Sequence, residues 1–65
     1  MIQKAIIKYL EDKGIKQSFL SYKTGLSTGA ISAILRGKQK LLIDDYIAIC
    51  KALDVSLQFF IDNAA

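Results

Sequence analysis

The reactive side chains that stand out in this chain are its cations. Residues 13–43 carry Lys13, Lys16, Lys23, Arg36, Lys38 and Lys40 with no acidic residue, a local charge of +6. Residues 1–12 are neutral, and residues 44–65 sum to −3 through Asp44, Asp45, Asp54 and Asp62 against Lys51. A basic middle between a neutral flank and an acidic end points to an anionic partner met by the middle third. Other chemistries lack their reagents. With no His and one Cys, a disulfide framework and the ordinary zinc ligand sets are excluded. No Ser-His-Asp set, carboxylate pair placed for acid–base work or Gly-rich phosphate cradle is present. The expectation is a binding protein and not an enzyme, without cofactor, metal or small-molecule ligand. Cys50 reads as a small buried hydrophobe.

The elements that position those cations must come from one small domain, residues 1–65. A domain this size buries only ~60% of the surface its unfolded chain exposes, so its core must be dense. The 52% hydrophobic content fits that need and argues against disorder. No apolar run approaches the ~18 residues of a membrane span. Acids interrupt the opening "MIQKAIIKYLEDKG" before a signal-peptide core develops. With the lone Cys, this gives the cytoplasm as the expected setting. There is no Pro, repeat or low-complexity tract.

Helical periodicity predicts five short helices and no strand. Ile2, Ile6, Tyr9 and Leu10 share one face, and Gly14 stops that helix. Leu20 and Thr24 lie on a second helix, about 17–24, that Gly25 ends. Ile31, Ile34 and Leu35 mark a third, about 28–36. Ile43, Ile47 and Cys50, with Tyr46, Ile49 and Leu53, line a fourth, and Leu57, Phe60 and Ile61 a last turn or two. Ser27 is an N-cap, with Leu26 stapling onto Ile31, and Ser56 repeats the device with Val55 and Phe60. Asp44 and Asp45 suit a first helical turn, and Gly37 after Arg36 a left-handed C-cap.

The second and third helices are joined by "KTGLS". A short Gly-containing connection followed by an apolar residue and an N-cap is the sequence form of a helix-turn-helix. Gly25 supplies positive φ, the small Ser21 lets the two helices approach, and Leu26, Ile31 and Ile34 point into the core. A lone Gly is weak evidence; the whole set at these spacings is much stronger.

In "IKQSFLSYKTGLSTGAISAILRGK" and "IDDYIAICKALDVSL" the chain resembles, from Ile15 to Ile61, the phage-repressor and Cro-type helix-turn-helix family, also called XRE-type. The resemblance implies a compact all-α bundle and a bacterial or phage transcription regulator. It implies double-stranded DNA as partner, a near-palindromic operator, and a homodimer at least on DNA. Ser27 to Arg36 becomes the recognition helix in the major groove, and Gln17, opening helix two, contacts a backbone phosphate.

At about 100° per residue, Ala30, Ile31 and Ile34 fall on one side of that helix. Thr28, Gly29, Ser32, Ala33 and Arg36 fall on the other. The resemblance assigns base contact to Thr28, Gly29, Ser32 and Ala33. Many relatives carry Gln, Arg, Asn or Lys there, residues that pair with purine edges; this chain has none before Arg36. Two readings follow. In one, small side chains let the helix sit deep, with short hydrogen bonds from Thr28 and Ser32, Ala33 against a thymine methyl, and Arg36, Lys38 and Lys40 on phosphates. Shape and water-mediated contacts then carry much of the specificity. In the other, an antitoxin-type interaction module keeps the fold but uses its surface for protein, with weak or non-specific DNA binding.

Several positions depart from the family pattern. Lys16 stands where relatives place a Thr or Ser cap, at a cost of about 1 kcal/mol, and adds a cation beside Gln17. Phe19 and Tyr22 replace polar residues, and Tyr22 beside Lys23 is placed to offer its hydroxyl to a phosphate. Leu10 and Leu35 occupy positions where relatives often hold a buried Arg–Glu pair. Replacing both partners by apolar residues is often neutral or stabilising, so the two leucines are expected to meet. At the C-terminus Phe60 is assigned to the core. Phe59 or Ile61 is left partly outside, either as a cap on the core or as a symmetric dimer contact.

Overall fold

Five α-helices make up the computed structural model of the chain, which describes residues 2–63. They are α1 (Ile2–Lys13), α2 (Gln17–Thr24), α3 (Thr28–Leu35), α4 (Ile43–Leu53) and α5 (Leu57–Asp62), with no strand among the described residues.

Each of the first four helices is stopped by a left-handed residue. After α1, Gly14 takes φ 67°, and the amides of Gly14 and Ile15 return to the carbonyls of Glu11 and Leu10 at 3.2 and 2.8 Å. The same paired closure ends α3 at Gly37, where Gly37 N–H bonds Ile34 and Lys38 N–H bonds Ala33 at 3.1 and 2.9 Å. It ends α4 as well, but there Asp54 adopts φ 56° without being glycine. Such closure satisfies carbonyls that a helix end would otherwise leave unpaired.

Ile6, Leu10, Leu20, Ile31, Leu35, Tyr46, Ile49, Cys50, Leu53 and Phe60 form one apolar cluster to which every helix contributes. α2 packs against α3 and α4, while α1 packs against α3 and α5. Leu10 and Leu35 are both buried in this cluster, and apart from the Tyr46 phenol and the Cys50 thiol no polar or charged side chain is buried among the described residues. Tyr9 packs edge-on against Phe59 and Phe60, centroids 5.3 and 5.6 Å away, and so fastens α5 to α1. The Tyr46 hydroxyl donates to the Leu57 carbonyl, tying α4 to α5. Burial, with Cys50 beside it, pushes the Tyr46 pKa up to about 12. Cys50 is a buried free thiol whose pKa burial also raises, so it acts as a packing residue with little thiolate character.

Two local expectations are corrected. The buried stripe of α4 is Tyr46, Ile49, Cys50 and Leu53; Ile43 is largely exposed and Ile47 only half-buried. At ~100° per residue those two isoleucines sit roughly 70–110° off the centre of that stripe, on its flank. Ser56 occupies the N-cap position of α5, but its side chain makes no capping bond. The staple residues do their part there: Val55 packs on the core and Phe60 is fully buried.

Candidate nucleic-acid interface

The turn between α2 and α3 is held by two hydroxyls. Gly25 at φ 80° reverses the chain, a conformation that a Cβ would disfavour. Ser21 Oγ then donates to the Leu26 carbonyl at 2.6 Å, spanning the turn from one side. Thr24 Oγ1 donates back to the Leu20 carbonyl at 2.7 Å and accepts from Leu26 N–H at 3.2 Å. Leu26, packed on the core, therefore has its N–H and C=O both bonded to side chains of α2. Residue spacing alone gives Ser21 only as a small residue and Thr24 only as a member of the second helix. The missed signal is a hydroxyl residue at each of two positions just before a turn glycine.

α3 enters through a working cap: Ser27 Oγ accepts from Ala30 N–H at 3.0 Å. Ile31, Ile34 and Leu35 are buried, which fixes the rotation of the helix about its own axis. Thr28, Gly29 and Arg36 are consequently exposed, and Ser32 and Ala33 half-buried at the margins. Arg36 is the C-cap residue, just past the end of the helix. Gly29 has no backbone need to be glycine. It is absent from the positive-φ positions, and a Cβ built on it would meet nothing nearer than Ser27 Oγ at 3.9 Å. The fold leaves room there that the side chain does not use.

The cations flank this helix in the chain and all reach solvent. Lys16 is the N-cap residue of α2 in extended conformation and makes no side-chain capping bond. Gln17 follows as the first residue of α2 and is exposed, as are Tyr22 and Lys23 on its outer side. Lys38 and Lys40 are exposed in the segment leading to α4. The one ion pair among the described residues, Lys8 with Asp12 at 3.2 Å, belongs to α1. None of the six cations of residues 13–43 is neutralised by an ion pair within the described chain. Lys23 Nζ lies 5.8 Å over the Phe19 ring and Lys13 Nζ 5.9 Å over the Tyr9 ring, contacts that leave the positive charge available to an anion. At the far end, Phe59 is half-buried against Tyr9, while Leu57 and Ile61 are exposed.

An all-α domain whose second and third helices are set by such a turn, with a capped third helix open on one side, is a helix-turn-helix domain. The match of a helix-turn-helix family model over residues 6–60 places the chain in the Cro/XRE-type family of that fold. It is thus a DNA-binding helix-turn-helix regulator. No curated protein and no solved structure is a significant match to the chain. No helix among the described residues is long and apolar enough to cross a membrane.

Proposed function

We propose that the protein is a repressor or Cro-like regulator of bacterial or phage type that binds a near-palindromic operator as a homodimer. The observation that carries this reading is the pairing of an open α3 face with six exposed cations and no acid over residues 13–43. α3 lies in the major groove, Thr28, Gly29, Ser32 and Ala33 face base edges, and Gln17, Lys16, Tyr22, Lys23, Arg36, Lys38 and Lys40 hold phosphates. Because the open face is short-chained, the helix backbone approaches the base pairs closely. Discrimination then rests on short hydrogen bonds, methyl contact and DNA shape. The domain measures 27 × 22 × 20 Å, and half-sites one turn apart lie ~34 Å centre to centre. Reading both therefore takes two copies, with Phe59 and Ile61 of α5 assigned to the contact between them.

Selection of bound sites from a random duplex pool tests the reading. A palindromic motif is expected, with affinity falling on a log–log plot against salt as phosphates are released from counterions. A second reading, an interaction module of antitoxin type, draws on one observation: no exposed side chain of α3 itself is of the purine-pairing kind. Failure to enrich any site, with flat salt dependence, would favour it.

A further inference from the structure

The large apolar side chains that the fold leaves exposed include two pairs set in opposite charge. On the outer side of α2, Phe19 and Tyr22 are 39% and 82% exposed. With half-buried Ile15 and the stem of Lys16 they line a shallow open groove. Its charge is purely basic: Lys16 lines it, Lys23 lies over the Phe19 ring, and no acid occurs between residues 13 and 43. At the start of α4, Leu42 and Ile43 are 58% and 69% exposed. Asp44 and Asp45 follow them directly, and neither takes part in an ion pair among the described residues. Helix-dipole compensation explains the two aspartates but not the two bare aliphatic side chains in front of them. By contrast Asp62, beside the exposed Ile61 of α5, already accepts from Gln58 Nε2 at 3.0 Å.

We infer that these patches are the two halves of one contact between copies of the chain, the basic-aromatic groove of α2 receiving the Leu42–Asp45 corner of a second copy. Leu42 and Ile43 cover the Phe19 and Tyr22 rings, and Asp44 and Asp45 meet Lys16 and Lys23. Two exposed apolar residues face two, and two positive charges face two negative ones. Each surface is the complement of the other and repels itself, which excludes a symmetric pairing of either patch. Groove-on-corner pairing closes reciprocally in a two-fold pair or runs head-to-tail, and the same residues carry it in either arrangement. It uses no residue of α5, but it takes Lys16, Tyr22 and Lys23, assigned above to phosphates, so this contact and DNA compete for one surface.

Sedimentation equilibrium of the full chain at low ionic strength, without DNA, tests it. The wild type is expected to associate, and added salt to weaken that association. Lys16→Glu/Lys23→Glu and Asp44→Lys/Asp45→Lys are each expected to lose it by about tenfold or more, equivalent to at least ~1.4 kcal/mol. An equimolar mixture of the two is expected to regain it, since each then offers the complement of the other. Tyr22→Ser, at a largely exposed position, weakens the contact without changing charge and serves if a charge variant does not fold by circular dichroism. A wild type that stays monomeric, or whose association neither charge variant weakens, overturns the proposal. So does a mixture that fails to recover, or association that Tyr22→Ser leaves unchanged. Variants that lose only DNA affinity assign the groove to phosphate contact instead and overturn it equally.

Discussion

Ser21 Oγ, on α2, sits 2.6 Å from the carbonyl oxygen of Leu26, the residue that leads into α3. That hydroxyl and the neighbouring Thr24 bond occupy both polar backbone groups of Leu26, so the angle between the two helices is set by hydrogen bonds as well as by packing. Ser21→Ala leaves a part-buried carbonyl without its partner, at an expected cost of about 1–2 kcal/mol. Urea unfolding should show a lower midpoint with unchanged slope. An unchanged midpoint would mean that packing alone holds the turn.

Asp54 sits in the left-handed region at φ 56° and closes α4 through bonds to Lys51 and Cys50. A left-handed L-residue costs roughly 1–2 kcal/mol, and an anion at a helix C-terminus opposes the helix dipole. Asp54→Gly removes both penalties and should stabilise the domain by about 1 kcal/mol. For a domain of this size that raises Tm by about 4–8 °C per kcal/mol, measurable by thermal melting.

Tyr46 has its pKa raised in the folded state from 10.0 to about 12. The neutral phenol is therefore favoured by folding. Its stabilisation is complete below pH 10 and is lost as pH rises through 12, a loss on the order of 2–3 kcal/mol. Cys50, raised by burial, acts in the same direction. Chemical unfolding at a series of alkaline pH values should show stability falling across this window. Tyr46→Phe should lower stability near neutrality, by leaving the Leu57 carbonyl unpaired, and flatten the alkaline decline.

Gly29 separates stability from binding. Its position accepts a Cβ with no contact shorter than 3.9 Å, so Gly29→Ala should stabilise the fold by up to ~1 kcal/mol through helix propensity. If α3 approaches base edges as proposed, the added methyl group should weaken operator binding at the same time. A higher Tm with unchanged affinity would place Gly29 away from the DNA.

Leu10 and Leu35 are buried in one cluster. Leu35→Glu alone places an unpaired carboxylate there and should cost about 3–5 kcal/mol, enough to unfold much of a domain this small. Leu10→Arg/Leu35→Glu should recover part of the loss if the two side chains meet. A double-mutant cycle by denaturant unfolding measures the coupling, and strict additivity would show that they do not touch.

Much of the fold was legible because helix ends and helix faces are local. Gly14, Gly25 and Gly37 announce left-handed stops, Ser27 announces a cap that the structure contains, and the Ile31–Ile34–Leu35 spacing announces the buried side of α3. The same reasoning failed where local signals compete. Ile43 and Ile47 fit a helical stripe as well as Tyr46 and Ile49 do, and Asp54 carries no sign that it will take a glycine's conformation. Ser56 has the right type and position for a cap but makes no side-chain bond. Of the interface, the cation band and the exposed side of α3 could be read from residue spacing. The hydroxyl bonds that orient α3 could not, since their acceptors lie across a turn.

By itself, then, the sequence determined where this chain coils, where it stops and where its positive charge lies, since each depends on residues within one or two helical turns of one another. The tertiary structure decided which apolar residues are covered and which are left open. Phe60 disappears into the core while Leu42, Ile43 and Tyr22 remain outside. Burial depends on the surface that a distant helix presents, and hydrophobicity measures only how much a residue gains if such a surface arrives.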